Sequence, residues 1–527
     1  MALYNDLVRL DKENKNGVWA RIIKNNFAPL FVGRVDYVAG NPPWVNWENL
    51  PQEYRQSTAP LWQAYDLFQH KGYKAKLGGA KDDISVLMTY VAHDCYLIEG
   101  GSLGFVITLS VFKTKGAGEG FRRFQYRNAH GQWFLPPLSV HDLSRLQPFE
   151  GAVNRTATFV VGKARTPFAY PVRYVAWFRG GSGEIAQDDT LQQVYRKTER
   201  QVLAAEPIDS ENPASPWLTS TESVTQALRK VRGRSDYGGR KGVYCPTNAV
   251  YWIVEARPVG ESRVLVTNLA DSGKRSVRRV TQAVEKDFIY PLIRGKDISR
   301  WHCSSPMQII LPQDPKSPAK ALPEHELKTQ FPKTFSYFKQ FESELRSCAL
   351  LKQFFNPKVD PFYSSYNVGE YTFATYKVLW REVARDMQAA VSMGTGRPFV
   401  PDHTLVMVPV GTATEAHYLC ALLNSAPASY VVKNYVTLHP ATHVLNYLRI
   451  RTFEQGNPRH RTLAALSEQI HAAVAGGEVE RVRALEAELD LVAAELWGLT
   501  DNELKAIQEA MGETGKSQRA SEEDQED

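Results

Sequence analysis

The sequence has no run of about eighteen apolar residues, the length a bilayer-crossing helix needs. Its first fifteen residues are charged and lack an apolar core, so no secretory signal is visible and the cytoplasm is the expected compartment. Cysteine is scarce. Cys95, Cys245, Cys303, Cys348 and Cys420 stand far apart with no C-x-x-C, which supports neither a zinc site nor a disulfide framework. His403, His439 and His443 are too dispersed for a metal triad, so no metal is expected. A glycine-rich strand-to-helix turn is missing as well. Gly394-Thr395-Gly396 and Gly476-Gly477 come nearest, and neither lies in a convincing strand-to-helix context.

What is present fits a folded, multidomain chain. The 527 residues are 43% hydrophobic and 11% aromatic, enough for two to four domains. The net charge is +6, but the last seventeen residues carry only Lys516 and Arg519 against six acids. The body is therefore more basic than the total and suits a polyanion without proving one.

The most informative stretch is Val35-Asp36-Tyr37-Val38-Ala39-Gly40-Asn41-Pro42-Pro43-Trp44. Val35, Tyr37 and Val38 have strand propensity, and Gly40 permits a sharp exit. Two consecutive prolines then fix φ and remove two backbone donors, so the ladder cannot continue. Asn41 and Trp44 are thereby held at the carboxyl edge of a strand, where open α/β sheets bind ligands.

Asn-Pro-Pro followed by an aromatic, directly after a strand, resembles the catalytic loop of amino-group DNA methyltransferases. The version with Asn first and Trp last is most similar to adenine-specific enzymes of type IIG-like restriction-modification and phage-defence systems. The resemblance implies S-adenosyl-L-methionine as cofactor and double-stranded DNA as partner. It also implies that Asn41, Pro42, Pro43 and Trp44 are catalytic. The Asn41 side-chain oxygen and the Pro42 carbonyl would accept the two hydrogens of the exocyclic amine, and Trp44 would stack on the flipped base.

Later segments keep the family's order. Asp82-Asp83-Ile84 opens a periodic helix to Leu97 that Gly100-Gly101 ends, followed by a strand at Leu103–Thr108. Asp83 reads as an N-cap, and the resemblance places the acid at that position near the cofactor. Thr156–Lys163 is a further strand, and the resemblance makes Asn154 and Arg155 in the preceding loop candidates for holding the flipped base. Arg229–Lys241 is a basic run with Tyr237 inside it, a pattern that suits nucleic-acid backbone and includes Arg240 and Lys241. Tyr290–Trp301 resembles the Pro-Leu-x-Arg-Gly-x-Asp-Ile segment of the family's target-recognition domains, with Arg294, Lys296 and Arg300 as candidate DNA contacts. Apolar spacing from Arg461 to Trp497, broken at Gly476-Gly477, predicts a helical hairpin. The tail after Gly512 has the composition of a disordered segment.

The expected fold is α/β: a partial Rossmann-like methyltransferase sheet followed by an α+β target-recognition domain and a C-terminal helical hairpin. The expected boundaries are 1–167 for the catalytic-loop half, 168–455 for target recognition, 456–511 for the helices and 512–527 for the tail. A chain with the catalytic strand but no cofactor loop keeps one half of a parallel sheet. Its first strand would then be a bare edge. A split enzyme follows as an expectation, with a second polypeptide supplying the glycine-rich part. The alternative is a non-catalytic DNA-specificity subunit of a restriction or defence complex. A nuclease reading, from Asp314 and Glu326-Leu327-Lys328, is disfavoured by Pro315, Pro318 and Pro323.

Overall fold

The computed structural model describes residues 2–68, 82–114, 118–149, 155–180, 185–271, 277–314, 317–384, 386–394, 396–435 and 440–523, without the side chains of 2, 3, 7, 16–20, 23, 26 and 513–523. Contacts divide the chain into two units, Met1–Thr221 and Glu222–Asp527. Both are mixed α/β. The composition change expected at 168 falls inside the first unit, because the strand that follows it joins the same sheet.

The first unit begins with α1 (Ala2–Lys12) and α2 (Asn16–Phe31). It continues with β1 (Val35–Gly40), α3 (Gln52–Ala64), α4 (Ile84–Cys95) and β2 (Leu97–Thr108). The short α5 (Ser110–Lys113) leads to the hairpin β3 (Gln125–Asn128) and β4 (Gly131–Phe134). Next come β5 (Pro137–Asp142), β6 (Thr156–Gly162) and β7 (Val172–Arg179). The unit closes with α6 (Leu191–Lys197), β8 (Thr198–Pro207) and β9 (Trp217–Ser220).

Seven of these strands form one mixed sheet in the order β1-β2-β6-β5-β7-β8-β9. β1 runs parallel to β2, and β5 parallel to β7, while β6 is antiparallel to both its neighbours. The carboxyl ends of β1, β2, β5 and β7 therefore share one edge of the sheet with the amino end of β6. Ile107, Phe112, Phe159 and Trp217 lie in the core packed against it.

Helix α4 and strand β2 differ from the sequence reading. The helix stops at Cys95 rather than Leu97, and Gly100-Gly101 lies inside β2. Lys163 explains the early stop. Its ammonium donates to the carbonyls of His93 (2.7 Å), Asp94 (3.1 Å) and Leu97 (2.9 Å), satisfying groups that a helix C-terminus leaves open. The glycines serve the strand pair instead. Gly100 takes φ +81°, and a Cβ on Gly101 would lie 2.8 Å from the Asp36 carbonyl, so a side chain there would push β1 off β2.

Within the described residues, β1 pairs only with β2, so its other side is an open edge. Tyr37 on this strand is 80% exposed, and Phe31, at the end of the preceding helix, is 85% exposed.

The second unit holds a six-stranded sheet ordered 281–285, 263–268, 252–259, 307–310, 289–293, 400–401, and a four-stranded sheet ordered 240–241, 405–410, 376–381, 390–393. Helices Pro458–Ala475 and Val479–Trp497 meet at Gly476-Gly477, where Gly477 takes φ +72°. The helix Asp501–Glu523 starts with a Thr500–Glu503 cap, whose Thr500 N–H donates to Glu503 Oε2 at 2.7 Å. It continues past Gly512, where composition predicted disorder. A hairpin also forms at Gln313–Asp314 and Ser317–Ala321 despite Pro318 in its second strand. Proline survives there because the ladder is only two strands wide, which leaves a strand side that needs no donor. No described helix is long and apolar enough to cross a membrane.

Candidate active site

The β1 strand delivers Asn41-Pro42-Pro43-Trp44 to the carboxyl edge of the sheet, beside the end of β2. Pro42 is buried, whereas Asn41 and Pro43 are exposed and Trp44 is half-buried. The Trp44 indole N–H donates to the Val106 carbonyl on β2 at 3.1 Å. That bond fixes the ring against the neighbouring strand and leaves its π faces unaffected by the tether. Gly40 permits the approach, since a Cβ there would stand 3.2 Å from the Phe105 ring.

The far end of the loop is pinned to the start of α4. Asn46 and Asp83 form a β-bridge, the Trp47 N–H donates to the Asp82 carbonyl (2.9 Å), and the Ile84 N–H donates to the Val45 carbonyl (2.9 Å). Trp47 then packs edge-on against Trp62, with ring centroids 5.4 Å apart, and Trp62 stacks on Phe68 at 4.7 Å. Trp62 is fully buried. The aromatic residues after the motif thus brace the loop from inside. Lys71, Tyr73, Lys74 and Lys76 of the same segment lie outside the described residues.

Both aspartates at the head of α4 are buried. Asp83 caps the helix, its Oδ1 accepting from the Ser85 N–H at 2.9 Å. Asp82 Oδ1 accepts from the Gly118 N–H at 2.5 Å. Burial pushes the Asp82 carboxyl up to about 6 and raises Asp83 as well. Asp82 therefore ties the segment after Trp44, α4 and the turn at Gly118 together. The sequence reading singled out Asp83 alone. The adjacent pair of acids was the available signal, and only the fold separates their roles.

A second aromatic reaches the same edge. Phe149, in the loop before β6, meets Trp44 edge-on with centroids 5.3 Å apart and an interplanar angle of 77°. Sequence reasoning gave Phe149 no role, because nothing local relates it to Trp44. Arg155 stands exposed at the head of β6, its carbonyl accepting from the Leu109 N–H at 2.8 Å. Asn154 lies outside the described residues.

The basic candidates of the second unit separate into two groups. Arg294 is buried and bidentate to Asp297, at 2.7 and 3.0 Å, and Arg300 binds Glu486 at 2.6 Å and the Asn424 carbonyl at 2.8 Å. Both were expected at DNA. Both are engaged by the fold: the Arg294 side chain is buried, whereas that of Arg300 stays 35% exposed. Lys296 between them is exposed. Arg240 is exposed over the Tyr371 ring at 5.4 Å, while Lys241 pairs with Glu382 at 2.5 Å. Lys230, in the same run, pairs with Glu503 at 2.7 Å. Among the described residues no three His, Cys, Asp or Glu side chains converge in a way that could hold a metal.

No family model and no curated protein matches the chain. Solved structures similar to it include the type IIL restriction-modification enzyme MmeI in complex with DNA, at 10% identity and TM-score 0.48, over 92% of this chain and 57% of that one. The type IIG restriction endonuclease BpuSI matches at 13% identity and TM-score 0.29, over 89% and 55%. A nuclease-deletion mutant of the type ISP restriction-modification enzyme LlaGI, bound to a DNA substrate mimic, matches at 10% identity and TM-score 0.39, over 83% and 35%. The chain thus spans just over half the length of the first two.

Proposed function

We propose that this chain is the catalytic-loop and target-recognition part of an adenine-specific DNA methyltransferase that works in restriction-modification or phage defence. The observation that carries this reading is Asn41-Pro42-Pro43-Trp44 at the carboxyl end of β1, with Trp44 tethered to Val106 and facing Phe149. An exocyclic amine is a weak nucleophile because its lone pair is delocalised into the ring. In the proposed reaction the Asn41 side-chain oxygen and the Pro42 carbonyl accept its two hydrogens. This draws the nitrogen towards tetrahedral geometry and gives its lone pair a direction. Trp44 and Phe149 supply apolar faces for a base that has left the duplex, as base-modifying enzymes require. The buried Pro42 and the Val106 tether keep these groups preorganised, so little reorganisation is left for the reaction itself.

S-adenosyl-L-methionine would supply the methyl group. The described residues give only part of its cradle. Asp82 and Asp83 stand at the head of α4, to which the loop is pinned, and they already accept from Gly118 and Ser85. No glycine-rich strand-to-helix turn stands beside β1 among the described residues. The remaining cradle is assigned to a second polypeptide that pairs with the open edge of β1. The bare edge at Tyr37 and the exposed Phe31 support that assignment, since such a strand is an aggregation liability unless it is covered. Double-stranded DNA is the other partner, with Arg155, Arg240 and Lys296 as proposed contacts.

The exposed Arg240 and Lys296 of the second unit also suit a second reading, a DNA-specificity subunit whose loop does not catalyse. Asn41→Ala separates the two. With its partner present, the variant is expected to lose methyl transfer by at least about a hundredfold, the scale for removing one preorganised polar group, and to bind duplex normally. Unchanged methylation in Asn41→Ala would remove Asn41 from catalysis and favour the second reading.

A further inference from the structure

In the second unit the chain leaves the edge of the four-stranded sheet at Arg240–Lys241 and crosses residues 401–402 at Gly242. A Cβ on Gly242 would collide with the Asp402 carbonyl, so only glycine allows the crossing. The Val243 N–H then donates to the Pro401 carbonyl at 2.8 Å, and Tyr244 exchanges backbone hydrogen bonds with Tyr366, 2.9 Å each way. Residues opposite each other in such an antiparallel pair project to the same face. Four rings follow one another as a result. Phe354 stacks on Tyr366 with centroids 4.0 Å apart and 18° between the planes. Tyr366 stands opposite Tyr244, and Tyr244 meets the His403 ring at 4.6 Å. Tyr366 and Tyr244 stay 38% and 39% exposed, so the middle of the row is open to solvent.

Cations border this row. The Thr404 hydroxyl accepts from the Gly295 N–H at 2.9 Å, which sets Lys296 beside the His403 end. Lys352 and Lys358 lie on either side of Phe354 in the sequence. In the segments 240–247, 294–297, 349–370 and 402–404 the exposed charges are Arg240, Lys241, Lys296, Lys352 and Lys358 against Glu370 alone. Lys241 is paired with Glu382, and half-buried Asp360 accepts from the Asn356 N–H at 2.7 Å. Asp297 and Asp402 are buried, accepting from Arg294 and from Thr404. The exposed excess is positive and suits a polyanion. The half-exposed rings in its middle suit one that brings flat faces along with its phosphates.

We propose that this row is a stacking platform for unpaired bases, on which the second unit holds a stretch of single-stranded DNA. A base paired and stacked in a duplex has no free face for a ring, whereas a single strand offers a π face at every base. The bordering cations take the phosphates, as they would those of a duplex. The platform belongs to the second unit alone and does not depend on how Asn41–Trp44 works. Every base has a π face, so the platform holds a strand without reading its sequence.

The test is an anisotropy titration of the full chain with three labelled probes. They are an oligothymidine of about twelve nucleotides, an abasic strand of equal length and a duplex of equal length. The parent is expected to bind the oligothymidine about tenfold more tightly than the abasic strand, the scale of one base stacked on one ring. Tyr244→Ala combined with Tyr366→Ala should lose that factor, keep the salt slope and leave duplex affinity unchanged. Tyr→Phe at both positions keeps the rings and should bind like the parent. Arg240→Gln combined with Lys296→Gln should instead reduce the slope of log affinity on log salt by about 0.7 for each phosphate no longer neutralised. A parent that does not bind the oligothymidine, or binds the abasic strand equally well, overturns the platform without any variant. The double Ala variant overturns it by binding oligothymidine like the parent, or by losing duplex affinity to the same extent. A loss in the Phe variant equal to that in the Ala variant would place the effect on the hydroxyls and overturn it too.

Discussion

Asp82 is the residue on which the loop's position depends most directly. Its carbonyl holds Trp47 and its carboxyl holds Gly118, so one residue joins three segments of the site. Burial raises the carboxyl from 3.8 to about 6. Between those values the folded chain holds a proton that the unfolded chain has released, so the stability Asp82 contributes falls as pH rises from 3.8 to about 6. Asn keeps the acceptor and does not titrate. Asp82→Asn is therefore expected to gain on the parent across that window and to be at least as stable at about pH 7. Asp82→Ala leaves the Gly118 N–H unpaired and should cost about 1–3 kcal/mol. Denaturant unfolding of the three proteins at about pH 4 and about pH 7 checks this, and a parent-to-Asn difference that does not change with pH refutes it. At this scale the sequence was readable where chemistry is local. Prolines and glycine fix the exit of β1 whatever surrounds them, and the Asp83 cap follows from its place before α4. The Trp44–Phe149 pair joins residues far apart in sequence, and no spacing rule anticipates it.

Elements were legible in kind more than in use. The strands at Val35 and Thr156 and the helices on either side of Gly476-Gly477 followed from periodicity and turn chemistry. The glycine pair at 100–101 looked like a helix stop and proved to be a close approach between two strands, because Lys163 had already closed the helix. The segment Arg294–Arg300 shows the same limit. Its arginines have the composition of a DNA contact, but a single turn brings Asp297 back onto Arg294. Breaking a buried pair leaves an uncompensated charge, so Asp297→Ala should destabilise the second unit by about 3–5 kcal/mol. Lys296→Ala, on the exposed tip between them, should leave stability within about 0.5 kcal/mol and weaken duplex binding. Thermal unfolding and a binding titration separate the two effects. Reduced stability in Lys296→Ala, or no reduction in Asp297→Ala, would contradict this division.

For the molecule as a whole, charge and exposure matter more than any motif. Among the described residues the +6 chain keeps an open strand edge in its first unit and buries titratable rings in both units. Burial pushes His93, His417 and His471 down to about 4 from 6.5. Their neutral forms belong to the fold, so the unfolded chain takes up protons that the fold refuses as pH drops from 6.5 to about 4, and stability falls over that range. His471 accepts from the Val391 N–H (3.1 Å) through Nε2, while its Nδ1 lies 2.7 Å from the Ser467 carbonyl. These hydrogen bonds suit a neutral ring with its proton on Nδ1. The melting-temperature advantage of the parent over His471→Gln should shrink as pH falls from 6.5 to about 4, and a constant advantage would contradict the assignment. The open edge of β1 was anticipated from the missing glycine-rich turn. The extent of the sheet beyond residue 167 was not, because the strand at Val172 looks like the start of something new until its pairing with β5 is seen.

In the proposed reaction Asn41-Pro42-Pro43-Trp44 works on adenine. The decisive measurement is the identity of the methylated nucleoside after the chain, isolated with its partner, is incubated with duplex DNA and labelled S-adenosyl-L-methionine. Digestion and mass spectrometry should show the label on the exocyclic amine of adenine and lose it in Asn41→Ala. Label on the cytosine amine would keep the catalytic loop and correct its substrate. No label from a complex that binds both duplex and cofactor would contradict the account.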